Sequence, residues 1–337
     1  MTTPAPLIAD QISRRFGNHK AVDQISLTLE PGEITALIGQ SGSGKTTLLR
    51  LFAGMEQCDT GQVLSGDTEL SSPTKHIPIE KRKIGLVFQD FALFPHLTAL
   101  ENVMFGLRNL SKDQKVERAS TWLNRLGLTH RRDAYPHHLS GGEQQRTAIA
   151  RALAPDPIAI LLDEPFSGLD PTMRDQVREV ALDAVRVSGI PSLLVTHDAS
   201  EALVHADKIA VIEAGKLLQT GAPERVYTSP NSLETAKALG PVHQIKTSSL
   251  PNTWMGGLAI AGDVACYRPE ALQVSAGSEF TVKRLRLAGP VTEIELQLND
   301  TESLFAACQL GAPLQAGDQV SLSINPDLFF DFPRETT

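Results

Sequence analysis

The sequence predicts an α/β domain followed by a small all-β domain, and three observations support this prediction. Along the first two-thirds of the chain, short apolar runs alternate with helical patterns, which is typical of a largely parallel sheet flanked by helices. After about residue 240 the helical patterns fade, and short alternating runs such as "VTEIELQL" and "QVSLSIN" stand between turn residues. The chain has 337 residues, which suggests two domains rather than one. We therefore expect a first domain over residues 1–240 and an all-β domain over residues 241–337.

The charge and the composition argue against several classes of protein. The formal net charge is −8, and residues 241–337 supply −5 of it, with six Lys or Arg against eleven Asp or Glu. A nucleic-acid-binding protein is usually basic, and anionic lipid repels an acidic domain, so neither partner is expected. The sequence contains no apolar run of 18 residues and does not begin like a signal peptide. Its three cysteines are scattered, which fits neither a disulfide framework nor a metal site and favours a reducing cytosol.

The first element with chemistry is the stretch "GQSGSGKT", from Gly39 to Thr46. It matches the pattern G-x-x-x-x-G-K-[ST] and lies between the apolar run "EITALI" and a helical run, which is the context that a P-loop requires. Glycines let backbone N–H groups turn towards phosphate oxygens, Lys45 would reach the β- and γ-phosphates, and Thr46 would hold Mg²⁺. A glycine-rich turn without a ligand is the alternative, and the strand, the lysine and the helix together disfavour it.

Three later apolar runs also end on polar residues. "KIGLVF" leads to Gln89, "IAILL" leads to Asp163 and Glu164, and "SLLVT" leads to His197. In open parallel sheets ligands bind at the carboxyl ends of the strands, so these residues and the P-loop are expected to share one site. Asp163 suits Mg²⁺, and Glu164 could act as general base towards the attacking water. Alone, the acids could be solvated, the histidine structural and the glutamine a surface residue, but the P-loop favours a functional role for each.

Between Gln89 and Asp163 the pattern predicts a helical insertion at about residues 91–152. Ser111 and Gln114 form a capping box before one amphipathic helix, and Ser140 and Glu143 form another in "LSGGEQQR". The cap does not account for two adjacent glycines, and a capped helix start is itself an anion site. The sequence thus predicts a second phosphate site on a chain that already has a P-loop.

Taken together, these motifs resemble those of the ATP-binding subunits of ABC transporters over nearly the whole chain. The resemblance rests on "GQSGSGKTT", the Gln of "LVFQD", "LSGGEQQR", "ILLDEP", "SGLD" and "VTHD", in the order and spacing of the family. It implies a P-loop NTPase core and an ATP site made by Phe16, Gly39, Ser41, Gly42, Gly44, Lys45, Thr46, Thr47, Gln89, Ser140, Gly141, Gly142 and Asp170. It also implies Mg²⁺ at Thr46, Gln89 and Asp163, and catalysis by Glu164 and His197.

The family assigns further roles to three of these residues. Phe16 would stack on adenine, although core packing is an equally fair reading of that aromatic from the sequence. Gln89 would sense Mg²⁺ and the membrane partner, and Asp170 would cross a dimer interface. Two departures are mild: Glu143 stands where many relatives have Gln, and "SGLD" stands where many close importers have "SALD". The tail, with "CYRPEAL" and "LRLAGPVTEIELQL", resembles the OB-type (TOBE-like) accessory domain of importer ATPases.

The resemblance implies an ATPase that energises solute import at the cytoplasmic face of the inner membrane. The expected partners are a second copy of this chain, integral membrane permease subunits and, indirectly, a periplasmic or extracellular solute-binding protein. The stretch "FALFPHLTALENV" is the candidate surface for the permease. The motifs look most like the ferric-iron branch, while polyamine, thiamine, sulfate and phosphonate importers are very similar. A soluble ABC ATPase without a transporter is the rival, but such proteins usually carry coiled-coil inserts or two ATPase halves.

Overall fold

The structure, a computed structural model, describes residues 4–309 and 314–332. The chain divides into two compact units, Met1–Pro223 and Glu224–Thr337. This division falls before residue 240, where the sequence predicts the boundary. That residues 1–240 fold on their own stays a prediction. In the described ranges, no helix combines the length and the apolar character needed to cross a membrane.

The first unit contains two sheets and the helices that cover them. Its strands are β1 (Leu7–Phe16), β2 (His19–Leu29), β3 (Ile34–Ile38), β4 (Thr60–Ser65), β5 (Thr68–Ser71), β6 (Ile84–Val87), β7 (Ala159–Asp163), β8 (Ser192–Val195), β9 (Lys208–Glu213) and β10 (Lys216–Gly221). Its helices are α1 (Lys45–Ala53), α2 (Ile79–Arg82), α3 (Ala99–Met104), α4 (Lys112–Arg125), α5 (Gly141–Leu153), α6 (Pro171–Ser188) and α7 (Ala199–His205).

The central sheet has six strands in the order β10-β9-β3-β8-β7-β6. All neighbours in it are parallel except β10, which runs antiparallel to β9. Both faces are buried: on β7, Leu161 packs into one hydrophobic core and Leu162 into the other. Because a parallel sheet covered on both sides needs continuous apolar strands, runs such as "AILL" form its centre. The predicted α/β core is confirmed.

A second sheet, β2-β1-β4-β5, is antiparallel throughout, and the sequence pattern did not separate it from the parallel sheet. Its strands β1 and β2 form a hairpin in which Phe16 pairs with His19. This hairpin places the predicted adenine-stacking residue at the end of a strand.

The segment between β6 and β7 contains α3, α4 and α5, in agreement with the helical insertion that the sequence pattern predicts. Both predicted capping boxes are confirmed. The side chain of Ser111 accepts from the backbone N–H of Gln114 at the start of α4, and Ser140 accepts from Glu143 at the start of α5. In both boxes the side chain of the third helical residue accepts a hydrogen bond from the backbone N–H of the capping serine. These two reciprocal hydrogen bonds fix the residue at which each helix begins.

The second unit is mostly antiparallel sheet. Its strands are β11 (His243–Lys246), β12 (Val264–Tyr267), β13 (Leu272–Ala288), β14 (Val291–Gln297), β15 (Ser303–Gln309), β16 (Gln319–Ile324) and β17 (Phe329–Phe330), and its helices are α8 (Pro223–Thr228), α9 (Leu233–Ala238) and α10 (Asn252–Met255). They form the sheets β11-β12-β17 and β15-β14-β13-β16. The long strand β13 pairs with β16 along its first part and with β14 along its second. The all-β tail is therefore confirmed.

Candidate functional site

The P-loop connects β3 to α1, and its glycines are required by close packing. A Cβ added at Gly39 would lie 2.1 Å from the carbonyl oxygen of Ile212, and one at Gly44 would lie 2.2 Å from that of Ala21. Gly44 also has a φ of 109°, in the left-handed region that favours glycine, and it caps the start of α1. The loop is thus held tightly from behind while its front remains open.

Lys45 is buried at the base of this loop, with its ammonium bound to the loop backbone. Its Nζ donates to the carbonyl oxygens of Gly39 at 2.7 Å and Gln40 at 2.8 Å. Burial lowers the pKa of Lys45, while the nearby carboxylates of Glu164, Asp163 and Glu213 act in the opposite direction. An ammonium with little access to water interacts strongly with an incoming phosphate.

Asp163 and Glu164 close β7 on the same side of the sheet. Burial raises the pKa of Asp163 and Glu164 adds to the rise, while Arg50 and Lys45 oppose it. Glu164 has a φ of 45°, and its backbone N–H donates to the carbonyl oxygen of Val195 on the neighbouring strand. A left-handed glutamate is uncommon and strained, and such strain often accompanies function.

His197 and Glu164 meet across the ends of two strands. The Nδ1 atom of His197 lies 3.0 Å from Oε2 of Glu164, within hydrogen-bond distance. The histidine side chain is 63% exposed and the glutamate 27% exposed, so the pair lies at an open edge. The structure thus brings the ends of these two strands together, as the sequence predicts.

A cleft of about 560 Å³ lies over the P-loop. It is lined by Phe16, His19, Ala21, Ser41, Gly42, Gly44, Lys45, Thr46, Thr47, Glu164 and His197. Nine of these eleven residues are site residues predicted from the sequence. The other two, His19 and Ala21 on β2, belong to no motif in the sequence and were therefore missed.

Phe16 lines this cleft and is 45% exposed as a residue. The guanidinium of Arg14 lies 5.0 Å from the ring centroid and is itself bound to Glu56 and Asp59. This position disfavours core packing as the role of Phe16 and leaves it able to stack on a planar ligand.

The remaining predicted residues do not line the cleft. Ser140 is exposed at the start of α5, and Gly141 and Gly142 follow it there. A Cβ at Gly142 would lie 2.7 Å from Cγ2 of Val177, so this glycine lets α5 approach α6. Asp170 is exposed and caps α6 by accepting from the backbone N–H of Thr172.

Gln89 is exposed in the turn after β6, and it too lies outside the lining of the cleft. The two residues that follow its turn, Phe91 and Ala92, have φ values of 61° and 46°. Arg151 on α5 donates to both of their carbonyl oxygens, at 3.0 and 2.6 Å. Arg151, on the helix that begins within "LSGGEQQR", thus holds the strained backbone of Phe91 and Ala92 after Gln89.

Within the described residues, no group of three or more His, Cys, Asp or Glu side chains is arranged as a metal site. The oxygen donors that the sequence predicts for a metal near the P-loop include the hydroxyl of Thr46 and the carboxylate of Asp163. Oxygen donors of this kind are the ligands that Mg²⁺ prefers, and it usually shares them with substrate phosphates.

Comparisons with known proteins agree with this geometry. Residues 22–167 match the family described as ABC transporter, and residues 265–330 match the family described as TOBE domain. The chain is 37% identical to the Fe(3+) ions import ATP-binding protein FbpC of Haemophilus influenzae, over 87% of this chain and 89% of the relative. It is 36% identical to the sulfate/thiosulfate import ATP-binding protein CysA of Bordetella parapertussis, over 90% of this chain and 91% of the relative.

Solved structures give the same result for the first unit. The structure of cbiO1 from Clostridium perfringens, described as part of the ABC transporter complex cbiONQ, matches with a TM-score of 0.61 and 30% identity. The match covers 66% of this chain and 90% of cbiO1. The P-loop, the strand-end carboxylates, the capped signature helix and the relatives together lead to one conclusion. This chain belongs to the ABC transporter family, as an ATP-binding and ATP-hydrolysing subunit of an import system that carries a TOBE domain.

Proposed function

We propose that this chain hydrolyses MgATP to drive the import of ferric iron through a separate membrane permease. The hydrolytic part rests on one observation, the contact of 3.0 Å between Glu164 and His197 at the edge of the P-loop cleft. The choice of iron rests on relatives that are ferric-iron import proteins, one of them 44% identical over 230 residues, from Yersinia pestis.

The nucleotide binds in the cleft with its base at Phe16 and its phosphates at the P-loop. Adenine stacks on the exposed face of the Phe16 ring. Backbone N–H groups around Gly42 and Gly44 and the hydroxyls of Ser41 and Thr47 receive the phosphates. Lys45 exchanges its two carbonyl partners for phosphate oxygens, which strengthens binding because its site is poorly hydrated.

The donor set fits a magnesium ion carried by the nucleotide. Thr46, at the start of α1, and Asp163 would hold this ion through oxygen atoms, directly or through water, and Gln89, which lies outside the lining of the cleft, would add an oxygen ligand through water. When bound, Mg²⁺ supplies charge that offsets the charge of the phosphates.

Hydrolysis needs a base for the attacking water, and Glu164 fills that role. Its carboxylate faces the cleft, accepts a proton from water and thereby makes the oxygen a better nucleophile. His197, held at 3.0 Å by the same carboxylate, presents its second ring nitrogen, Nε2, towards the γ-phosphate. The strained backbone of Glu164 fixes where this carboxylate points.

The second phosphate motif serves a second copy of the chain. Ser140, Gly141 and Gly142 begin α5, where unpaired backbone N–H groups and the helix dipole favour an anion. They lie outside the lining of the P-loop cleft, so the chain presents two half-sites. A two-fold homodimer closes both half-sites at once, with Asp170 crossing the interface.

The permease docks on the surface after Gln89, where residues 91–103 lead from the central sheet into α3. Phe105, which follows α3 just beyond this segment, is 55% exposed and packs against Phe94, with ring centroids 4.3 Å apart. Docking on the permease there would hold the ATPase at the cytoplasmic face of the inner membrane as a peripheral subunit. A periplasmic or extracellular solute-binding protein is an indirect partner through the permease.

Lys45→Ala tests the nucleotide site. We expect the purified variant to lose ATP hydrolysis, because a phosphate-facing charge is removed where water is largely excluded. Malachite-green phosphate release with purified full-length protein is the measurement, and thermal melting checks the fold. Turnover near that of the parent would remove the P-loop from the mechanism.

Growth of a deletion strain tests the solute. We expect growth to fail on limiting ferric iron and to recover with a plasmid copy of the chain but not with its Lys45→Ala variant. The second candidate is sulfate or thiosulfate, which the Bordetella relative favours. Normal growth on limiting iron with failure on limiting sulfate would replace iron by sulfate and leave the ATPase assignment intact.

A further inference from the structure

A polar pocket of about 210 Å³ lies beside the Glu164–His197 pair. It is lined by Glu164, Phe166, Ser167, Arg174, Arg178, Thr196, His197, Asp198 and Glu201. The motifs of the first domain account for Glu164 and His197 but not for the charged residues behind them. The most buried of these are Arg178, on α6, and Glu201, on α7, whose side chains are 9% and 5% exposed.

Arg178 connects three elements of the fold. Its Nε lies 3.1 Å from Oε1 of Glu201, and its Nη2 lies 3.8 Å from Oδ2 of Asp198. Its guanidinium also lies 5.9 Å from the ring centroid of Phe166, two residues after the catalytic glutamate. The helix α6 that carries it is capped by Asp170, so one cation links that helix to the segments of both Glu164 and His197.

The loop of His197 is held on both sides by this cluster. Asp198 caps α7 by accepting from the backbone N–H groups of Ser200 and Glu201, and its own N–H donates to the hydroxyl of Thr196. Burial raises the pKa of Glu201, while a hydrogen bond with Thr196 and the charge of Arg178 lower it. The backbone on each side of His197 is therefore fixed by groups that meet at Arg178.

We propose that Arg178 is a positioning residue that holds His197 in register with Glu164 and links this pair to the helix beginning at Asp170. The inference rests on the proposed roles of Glu164 and His197. Removing Arg178 leaves the carboxylate of Glu201 buried without its partner, and such a loss is strongly destabilising whatever the function of the pair. A purely structural role would therefore lower the melting temperature while leaving kcat of the folded protein unchanged, whereas a positioning role also lowers kcat of the folded protein.

Arg178→Met and Arg186→Met make a matched pair for the test. Arg186 lies on the same helix, donates to the carbonyl oxygen of His205 at the far end of α7 and pairs with Asp207. Each variant removes an arginine that connects α6 to α7. Of the two, only Arg178 contacts Asp198, the residue next to His197. The measurements on purified full-length protein are kcat, KM for MgATP, melting temperature and affinity for a fluorescent ATP analogue.

We expect Arg178→Met to lower kcat roughly 10- to 100-fold, since small misplacements of a catalytic group have effects of that order. For Arg178→Met, KM and the affinity for the analogue should stay within about twofold of the parent values. Arg186→Met should keep kcat within about twofold of the parent value, because Arg186 lies away from the reacting groups. Arg178→Lys should restore part of the loss, because a cation is retained. Equal effects of the two methionine variants on kcat would overturn the inference.

A double-mutant cycle with His197→Ala separates positioning from stability. If Arg178 acts through His197, adding Arg178→Met to His197→Ala should change kcat by less than about twofold. Should Arg178→Met prove too unstable to purify, Arg178→Lys enters the same cycle. Full additivity would overturn the inference. If Glu164→Gln and His197→Ala left kcat unchanged, the proposed function would fail instead.

Discussion

Glu164 combines an unusual backbone with the position a catalytic base requires. Its φ of 45° and its N–H bond to Val195 fix the carboxylate at the end of β7, next to His197. Since the strain persists in a residue that is neither glycine nor asparagine, the surrounding strands determine it. At this position the rate of hydrolysis should depend more on the chemical nature of the side chain, a carboxylate, than on its shape.

Glu164→Gln keeps the shape and removes the base. We expect ATP binding to be retained and hydrolysis to slow by roughly 10²–10⁴-fold, the usual contribution of a positioned general base. Single-turnover hydrolysis measures the rate, and a fluorescent ATP analogue measures binding. A variant that hydrolysed ATP as fast as the parent would mean that another group is the base.

At the scale of elements, α4 and α5 start with the same capping box but have different surroundings. Ser111 and Ser140 each accept from the third backbone N–H of their helix. We expect Ser111→Ala and Ser140→Ala each to lower the free energy of unfolding by about 1 kcal/mol, which is typical for loss of an N-cap. Only Ser140→Ala should also slow hydrolysis, because only α5 begins at the proposed second phosphate site. Denaturant melts and phosphate release separate the two effects, and equal slowing in both variants would contradict the second phosphate site.

These helix starts could be predicted because their determinants are local. In each capping box a serine precedes Gln or Glu by three residues. The P-loop has a recognisable glycine-rich sequence, and the strand-end residues are polar residues that follow apolar runs. The antiparallel sheet β2-β1-β4-β5 could not be separated, since its order depends on pairing between segments as distant as Leu7 and Ser65. Arg178 beside His197 was missed for the same reason, since packing of α6 brings it to that pocket. His19 was missed for a different reason: it lies only three residues after Phe16, but no motif in the sequence marks it.

At the scale of the whole molecule, every predicted nucleotide residue precedes the second unit. We therefore expect the fragments 1–223 and 1–240 both to bind a fluorescent ATP analogue. Arg268 donates to the backbone carbonyls of Tyr227 and Ala236, so fragment 1–240 leaves those partners without it and should be the less stable of the two in a thermal melt. A soluble, well-folded fragment 1–240 that failed to bind would contradict the domain boundary at 240.

Mixed dimers test whether two chains share each ATP site. Lys45→Ala in one chain and Gly141→Asp in the other place both lesions in one shared site and leave the other whole. Both changes in the same chain damage each site once. A Cβ at Gly141 would meet only Leu169, at an ordinary contact of 3.4 Å, so this variant tests charge more than packing.

The measurement for these dimers is ATP trapped per dimer, with Glu164→Gln in both chains to suppress hydrolysis. We expect the split pair to trap more ATP, since one of its sites remains whole. More trapped ATP in the same-chain arrangement would mean that each chain completes its own site and would exclude the shared geometry.

The two hydrogen bonds of Lys45 to its own loop set a threshold for anion selection. An ammonium left bare in a buried loop would capture any passing sulfate, phosphate or carboxylate. Here an entering anion must offer more than the carbonyls of Gly39 and Gln40 already provide. A single small anion gains little by that exchange, whereas a polyphosphate also engages the loop N–H groups and the start of α1. A ligand that contacts Lys45 alone should therefore bind to this loop more weakly than a polyphosphate.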